Sequence, residues 1–181
     1  MSEGFTLFDT AIGTCGVAWN DRGLTGVQLP QSEGGDPRAR LAQCHPLAAE
    51  QQPPHAVAEA ILGMQALLRG EPRHLLEVEL DSSGLAPFNA QVYEISRAIP
   101  PGQTLTYGDI ARRLGDVSLS RAVGQALGAN PWPIVVPCHR ILAAGGRKGG
   151  FSAPGGADTK LRMLEIEGAL APETLPLFGG R

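Results

Sequence analysis

Proline and glycine constrain the second half of this chain more than any other residues do. Pro100-Pro101-Gly102, Gly115, and Gly128 followed by Asn130-Pro131 cut it at short intervals. Consecutive prolines cannot continue a helix, so only short helices fit between the cuts. Phe88, Val92 and Ile95 mark the first of them. Thr106 and Asp109 have the Thr-x-x-acid spacing of a reciprocal cap, which predicts a helix over 107–114 closed by Gly115. Ser118 is placed to cap a third helix, with Val123, Ala126 and Leu127 on its inner face. Two short helices joined by a tight turn make a helix-turn-helix pattern, which serves as a packing unit more often than as a DNA reader.

The first half is patterned differently. Residues 5–9, 14–20 and 23–29 are short β-favouring runs, and Asn20-Asp21-Arg22-Gly23 is a turn signal, so an antiparallel meander is expected. Residues 31–54 read as a surface loop with room for one short helix. Ala56, Ala60, Ile61, Met64, Leu67 and Leu68 then recur at helical spacing up to Gly70. Residues 75–81 alternate like a strand and 82–87 read as a linker. The expected organisation is an α/β domain over 1–84, a mainly α domain over 85–170 and a tail over 171–181.

Charge separates the same two parts. Residues 1–85 carry 5 Lys/Arg and 11 Asp/Glu, net −6, whereas residues 86–168 carry 9 and 6, net +3. Only the second part suits an anionic partner. Its third helix, Ser120-Arg121-Ala122-Val123-Gly124-Gln125-Ala126-Leu127, is dominated by small residues, whereas a helix reading the major groove usually presents long polar ones. Small residues permit the close approach that a minor groove requires, with Arg121 as the long side chain available for insertion; equally, they permit tight helix packing. Cys15, Cys44 and Cys138 are too few and too scattered for a disulfide framework, so reduced thiols are expected. No apolar run approaches the roughly 18 residues of a membrane span and no signal segment opens the chain, so a cytoplasmic protein without membrane contact is expected.

Chemistry concentrates after Ile134-Val135-Val136, which reads as a buried strand, in Pro137-Cys138-His139-Arg140. A buried thiol needs a base or a nearby positive charge to ionise. Adjacent side chains on extended backbone diverge, so His139 would reach Cys138 through a water; a packed cysteine beside a satisfied histidine is the alternative. Gly145-Gly146-Arg147-Lys148-Gly149-Gly150 lacks the Gly-x4-Gly-Lys-Ser/Thr order of a phosphate loop and suits a pocket-lining loop better. Glu167 falls in the last turn of a final helix, where the helix dipole disfavours a carboxylate. It is either exposed or bonded to a buried histidine.

Taken together, Pro87-Phe88, Thr106-Tyr107-Gly108, Arg121-Ala122-Val123-Gly124, Asn130-Pro131, Pro137-Cys138-His139-Arg140 and Glu167-Gly168 closely resemble the O6-alkylguanine-DNA alkyltransferases. The resemblance covers about residues 85–168 and is looser before them. It implies an RNase H-like α/β first domain without nuclease function, and a second domain with a helix-turn-helix. It implies DNA repair by a single-use transfer of an alkyl group from O6 of guanine, with O4 of thymine as a further candidate, to Cys138. His139 would deprotonate the thiol through water and Glu167 would orient the imidazole. Asn130 would support the turn before the active-site strand, and Tyr107 would donate to the departing guanine. Arg121, with Ser120, Ala122, Gly124 and Gln125 around it, would enter the minor groove of double-stranded DNA and fill the gap left by the flipped nucleotide. Trp132, Pro133, Ile141, Phe151 and Ser152 would form the substrate pocket. Phe151 stands where tyrosine is common, and the loop around it is about two residues longer than in some relatives. A monomer without metal or cofactor is expected. Two other classes remain open: a non-catalytic alkyltransferase-like module that only binds damaged DNA, and a thiol hydrolase.

Overall fold

In the computed structural model, which describes residues 3–31, 35–143 and 156–169, the first thirty residues form the expected meander. Strands β1 (Gly4–Thr10), β2 (Gly13–Asn20) and β3 (Gly23–Gln28) pair antiparallel in sequence. The Asn20 side chain accepts from the Arg22 amide at 2.8 Å, and Gly23 takes φ +145° where a Cβ would meet the Glu79 carbonyl oxygen at 2.7 Å. Glycine is therefore required at this turn.

Residues 31–54 hold more order than their composition suggests. Helix α1 (Pro37–Cys44) is capped by Asp36, and β4 (Ala49–Glu50) adds in parallel to β1, giving sheet order β3-β2-β1-β4. Leu41 of α1 packs with Phe5 and Ala18 on one side of the sheet. Cys15, Val17 and Trp19, alternate residues of β2, turn to the opposite side. Helix α2 (His55–Leu68) follows and buries Val57, Ala60, Ile61, Met64, Leu67 and Leu68, whereas Ala56 is exposed.

The strand expected over 75–81 does not form. Leu75 adopts φ +62°, which breaks the extended alternation, and only Leu80 makes a bridge, to Leu24. Instead of a neighbouring strand, the Arg97 guanidinium takes up the carbonyls of Leu75 at 2.9 Å and Val78 at 2.6 Å. A charged side chain thus supplies donors that a sheet would otherwise provide.

Beyond the linker the short helices appear as the prolines and glycines dictate: α3 (Pro87–Arg97), α4 (Tyr107–Arg113) and α5 (Ser120–Gly128). The reciprocal cap on α4 is complete, the Asp109 amide donating to Thr106 Oγ1 at 3.0 Å and the Thr106 amide to Asp109 Oδ2 at 2.9 Å. The next cap differs from expectation. Asp116, not Ser118, caps a 3-10 turn over Val117–Leu119 that leads into α5. A carboxylate accepts an amide more strongly than a hydroxyl does, and it stands two residues closer to Gly115.

The buried run Ile134-Val135-Val136 is also not a strand. Pro131, Pro133 and Pro137 remove the donors a ladder needs, Ile134 takes φ +79°, and the Val136 amide folds back on the Trp132 carbonyl at 2.8 Å. Cys138–Arg140 is a 3-10 turn, after which β6 (Ile141–Leu142) pairs in parallel with β5 (Leu105–Thr106). Helix α6 (Gly156–Ile166) closes the described fold. Apolar residues of both halves, from Phe8 and Trp19 to Val92, Val123, Val136 and Met163, form one contiguous core.

Candidate active site

Three cysteines are present, and their surroundings differ. Cys44 is exposed, and Cys15 is sealed in the sheet core, where burial pushes its thiol up to about 11. Cys138 is 8 % exposed at the head of the 3-10 turn, with a base next to it in sequence. Burial raises the Cys138 thiol as well, but a hydrogen bond from Asn130 and the charge of Lys160 oppose the rise.

Asn130 fixes the approach to the thiol. Its Nδ2 donates to the Val136 carbonyl and its Oδ1 accepts from the Trp132 amide, both at 2.9 Å. One side chain thereby replaces the ladder that three prolines forbid, and the turned segment 132–136 is held against the thiol it carries.

His139 is fully buried. Its Nε2 lies 2.8 Å from Glu167 Oε2, and the Glu167 side chain is 1 % exposed. Arg140 completes a three-member network: Nε donates to Glu167 Oε1 at 2.8 Å, a second nitrogen donates to Oε2 at 2.9 Å, and a third donates to the Ile99 carbonyl at 2.7 Å. Burial alone would raise the Glu167 carboxyl, yet the bonds from Arg140 and His139 prevail and hold it at about 2. A carboxylate so held can only accept, so His139 Nε2 carries the proton. Burial lowers the imidazole, with Glu167 partly opposing it, so the ring is neutral and Nδ1 bears the lone pair. Nδ1 is buried and has no hydrogen-bond partner among the described residues. A raised thiol and a lowered imidazole make the resting pair neutral, with the base poised to accept one proton.

Two phenols would feel the charge of an ionised Cys138. Tyr107 at the start of α4 has its phenol raised, by burial first and then by Cys138. Tyr93 on α3 is raised to about 12 for the same reasons, and its hydroxyl donates to the Ala126 carbonyl at 2.7 Å. Lys160 on α6 is fully buried, with Nζ 2.6 Å from the Ile141 carbonyl and 5.9 Å from the centroid of the Tyr107 ring.

The residues expected on the DNA face lie along one side of α5. Arg121 and Gln125 are exposed, Ser120, Ala122 and Gly124 are half-buried, and Val123, Ala126 and Leu127 point inward. A Cβ on Gly124 would lie 4.0 Å from the Tyr107 ring, so the helix passes close to the site. Pro133 is half-buried and Ile141 fully buried. Phe151 and Ser152 lie outside the described residues. Trp132, expected in the pocket, packs into the core: its indole donates to the Leu24 carbonyl at 2.8 Å and stands edge-on to Tyr93 at 6.1 Å. An indole N–H seeks a buried acceptor, and β3 supplies one. It lines, with His74 and Arg97, a cleft of about 840 Å³ whose described walls do not include Cys138.

Arg140 and Lys160 were not singled out on sequence. The signal was available for Lys160, because Lys160, Met163, Leu164 and Glu167 share the i, i+3, i+4, i+7 face of α6. Among the described residues no group of three or more His, Cys, Asp or Glu could hold a metal ion, and no helix is long and apolar enough to cross a membrane.

Residues 87–169 match the family model described as 6-O-methylguanine DNA methyltransferase, DNA binding domain. A methylated-DNA--protein-cysteine methyltransferase of Mycolicibacterium paratuberculosis is 40% identical over 125 residues, which is 69% of this chain and 73% of that protein. A DNA base-flipping protein of Thermus thermophilus is 45% identical over 115 residues, 63% of this chain and 73% of that protein. The crystal structure of Mycobacterium tuberculosis OGT in complex with DNA superposes with a TM-score of 0.73 at 32% identity, covering 97% of this chain and 99% of that one.

Proposed function

Because the chain belongs to the methylated-DNA--protein-cysteine methyltransferase family, we propose that Cys138 is the acceptor through which it repairs alkylated DNA, once per molecule. The activity is alkyl transfer from DNA to protein. The observation that carries the assignment of residues is the chain of contacts Glu167 to His139, with a buried Nδ1 that has no hydrogen-bond partner among the described residues, next in sequence to a thiol.

The step is a displacement at the carbon attached to guanine O6. His139 Nδ1 takes the thiol proton through a water and Glu167 stabilises the resulting imidazolium. Sulfur forms the new bond to carbon as the C–O bond breaks, its electrons remaining on the base. Tyr107 donates a proton to the departing guanine and regains one from solvent, and the imidazolium releases its own. The product thioether has no leaving group to regenerate the thiol, so the protein is consumed. Asn130 holds the segment in place.

The target base must leave the duplex, because a thiol that is only 8 % exposed cannot reach O6 within the stack. Residues 1–84 act as an RNase H-like unit and residues 85–170 as a helix-turn-helix unit built on α4 and α5, with α5 entering the minor groove. Arg121 occupies the vacated stack and Ser120, Ala122, Gly124 and Gln125 lie along the groove. Pro133 and Ile141 border the base. The chain acts as a monomer, and a thiol that must stay reduced suits a cytoplasmic location.

Incubation with benzylguanine should add one benzyl group per chain, mapped to Cys138 by peptide mass. A Cys138→Ala protein that still acquired the group would overturn the assignment. The likeness to the base-flipping protein favours a second reading, binding of damaged DNA without transfer. A module that only binds needs no acceptor thiol, so Cys138 counts against it, and an unmodified chain bound to O6-methylguanine DNA would reinstate it.

A further inference from the structure

We propose that Trp132 is a positioning residue for alkyl transfer: its indole N–H, bonded to the Leu24 carbonyl on the outer edge of β3, anchors the segment that aims the Cys138 sulfur at the target carbon. The proposal rests on Cys138 being the acceptor.

The segment before the thiol needs an external anchor. Pro131, Pro133 and Pro137 deny it a ladder of its own, and Ile134 takes a positive φ of +79°. Its bonds to itself form a short relay. The Trp132 amide donates to Asn130 Oδ1 at 2.9 Å, the Val136 amide to the Trp132 carbonyl at 2.8 Å, and the Cys138 amide to the Val136 carbonyl at 2.8 Å. Such a relay fixes the shape of the segment but not its place in the molecule. Two bonds to β3 fix the place: Trp132 Nε1 donates to the Leu24 carbonyl at 2.8 Å, and the Val27 amide donates to the Pro131 carbonyl at 2.9 Å. Among the described residues β3 ends its sheet, and its outer edge receives the acceptor segment where a further strand would lie. Trp132 belongs to both sets of bonds, and it is 2 % exposed, held edge-on against Tyr93.

The thiol therefore hangs between two fixed points. Upstream, Trp132 ties it to β3; downstream, His139 and Arg140 tie it to Glu167 and to the Ile99 carbonyl. The downstream point holds the base and the upstream one holds the nucleophile. Displacement requires sulfur, carbon and the departing oxygen in line, and a misplacement of about 1 Å can cost about a hundredfold in rate. An anchor remote from the sulfur thus governs the rate without touching the substrate. The anchor is also separable from the fold. The Leu24 carbonyl accepts from the Asp81 amide as well, at 2.9 Å, so removing the indole N–H leaves no buried acceptor unpaired.

Single-turnover reaction of the full chain with benzylguanine over a range of concentrations separates the limiting rate from the half-saturating concentration. Iodoacetamide is a small electrophile that needs no aligned pocket, so its rate at Cys138, located by peptide mass, reports exposure and ionisation of the thiol. Two changes at position 132 are compared. Trp132→Phe removes the N–H together with part of the ring, and replacement of Trp132 by 3-benzothienylalanine keeps the ring shape and puts sulfur where the N–H was. Each should lower the limiting benzylation rate at least about tenfold, with half-saturation within about threefold of wild type and iodoacetamide slowed by no more than about threefold. A folded benzothienylalanine protein with the wild-type limiting rate would overturn the proposal. So would a raised half-saturating concentration at an unchanged limiting rate, which would make Trp132 a wall of the pocket. An equal fall in both reactions would overturn it as well, by placing the effect in the thiol itself. Loss of fold in both variants would make Trp132 structural and sink the idea too. Failure of the wild-type chain to take up a benzyl group would instead remove the acceptor assignment, whatever the variants do.

Discussion

Replacing Glu167 by glutamine tests the network behind the base most directly. The substitution keeps the shape and removes the charge, leaving the buried Arg140 guanidinium without its counter-ion. The Glu167 carboxyl drops from an ordinary 4.5 to about 2 on folding. At about 1.4 kcal/mol per unit this is a stabilisation of about 3 kcal/mol at pH 7, similar to the cost of breaking other buried pairs. The pH dependence has a definite sign. A carboxyl lowered in the folded state stabilises above its unfolded value of 4.5 and loses that contribution as pH falls toward 2. The gap between wild type and Glu167→Gln should therefore be about 3 kcal/mol at pH 7 and about 2 kcal/mol at pH 3.5. Urea unfolding of both proteins at the two pH values measures it. A gap below about 1 kcal/mol at pH 7, or one that grows on acidification, would refute the reasoning.

Three further outcomes are expected. Arg121→Ala should slow repair of O6-methylguanine in duplex DNA at least about tenfold more than reaction with free benzylguanine, since only the duplex requires base extrusion; equal losses would remove the finger role. Asn130→Ala frees the Val136 carbonyl and the Trp132 amide, so it should cost about 1–3 kcal/mol in urea unfolding and raise the Cys138 thiol midpoint in an iodoacetamide titration. Thr106→Ala breaks the reciprocal cap on α4; a loss of about 1 kcal/mol is expected, and a melting temperature equal to wild type would show that the cap contributes nothing.

Much of this molecule was legible from residue order because the relevant forces act over a few residues. Proline removes donors and glycine permits positive φ, so the ends of α3, α4 and α5 were fixed locally, and the Thr106–Asp109 cap was readable from its spacing. The Pro137-Cys138-His139-Arg140 motif likewise marked the chemistry and the resemblance to a family. What failed were inferences from local apolar pattern. The run 134–136 is buried as a strand would be, yet three prolines and the Asn130 side chain fold it into turns. Residues 75–81 alternate, yet Leu75 at positive φ and a guanidinium from α3 replace the sheet. Trp132 sits in an active-site motif, but its indole seeks the Leu24 carbonyl on β3. These outcomes depend on partners tens of residues away.

The charges of the site show the same division. Residue order by itself determined which chemical groups were available: a thiol beside an imidazole, a carboxylate after a helix and a basic second half. It could not determine their protonation, because that follows from burial and from contacts across the fold. Glu167 stood equally ready to face solvent until Arg140 and His139 enclosed it, and Lys160 was one more surface cation until α6 turned it inward onto Tyr107 and Ile141. Charge is a property of the side chain, whereas its energy is set by the medium and neighbours around it, and only the folded structure supplies those.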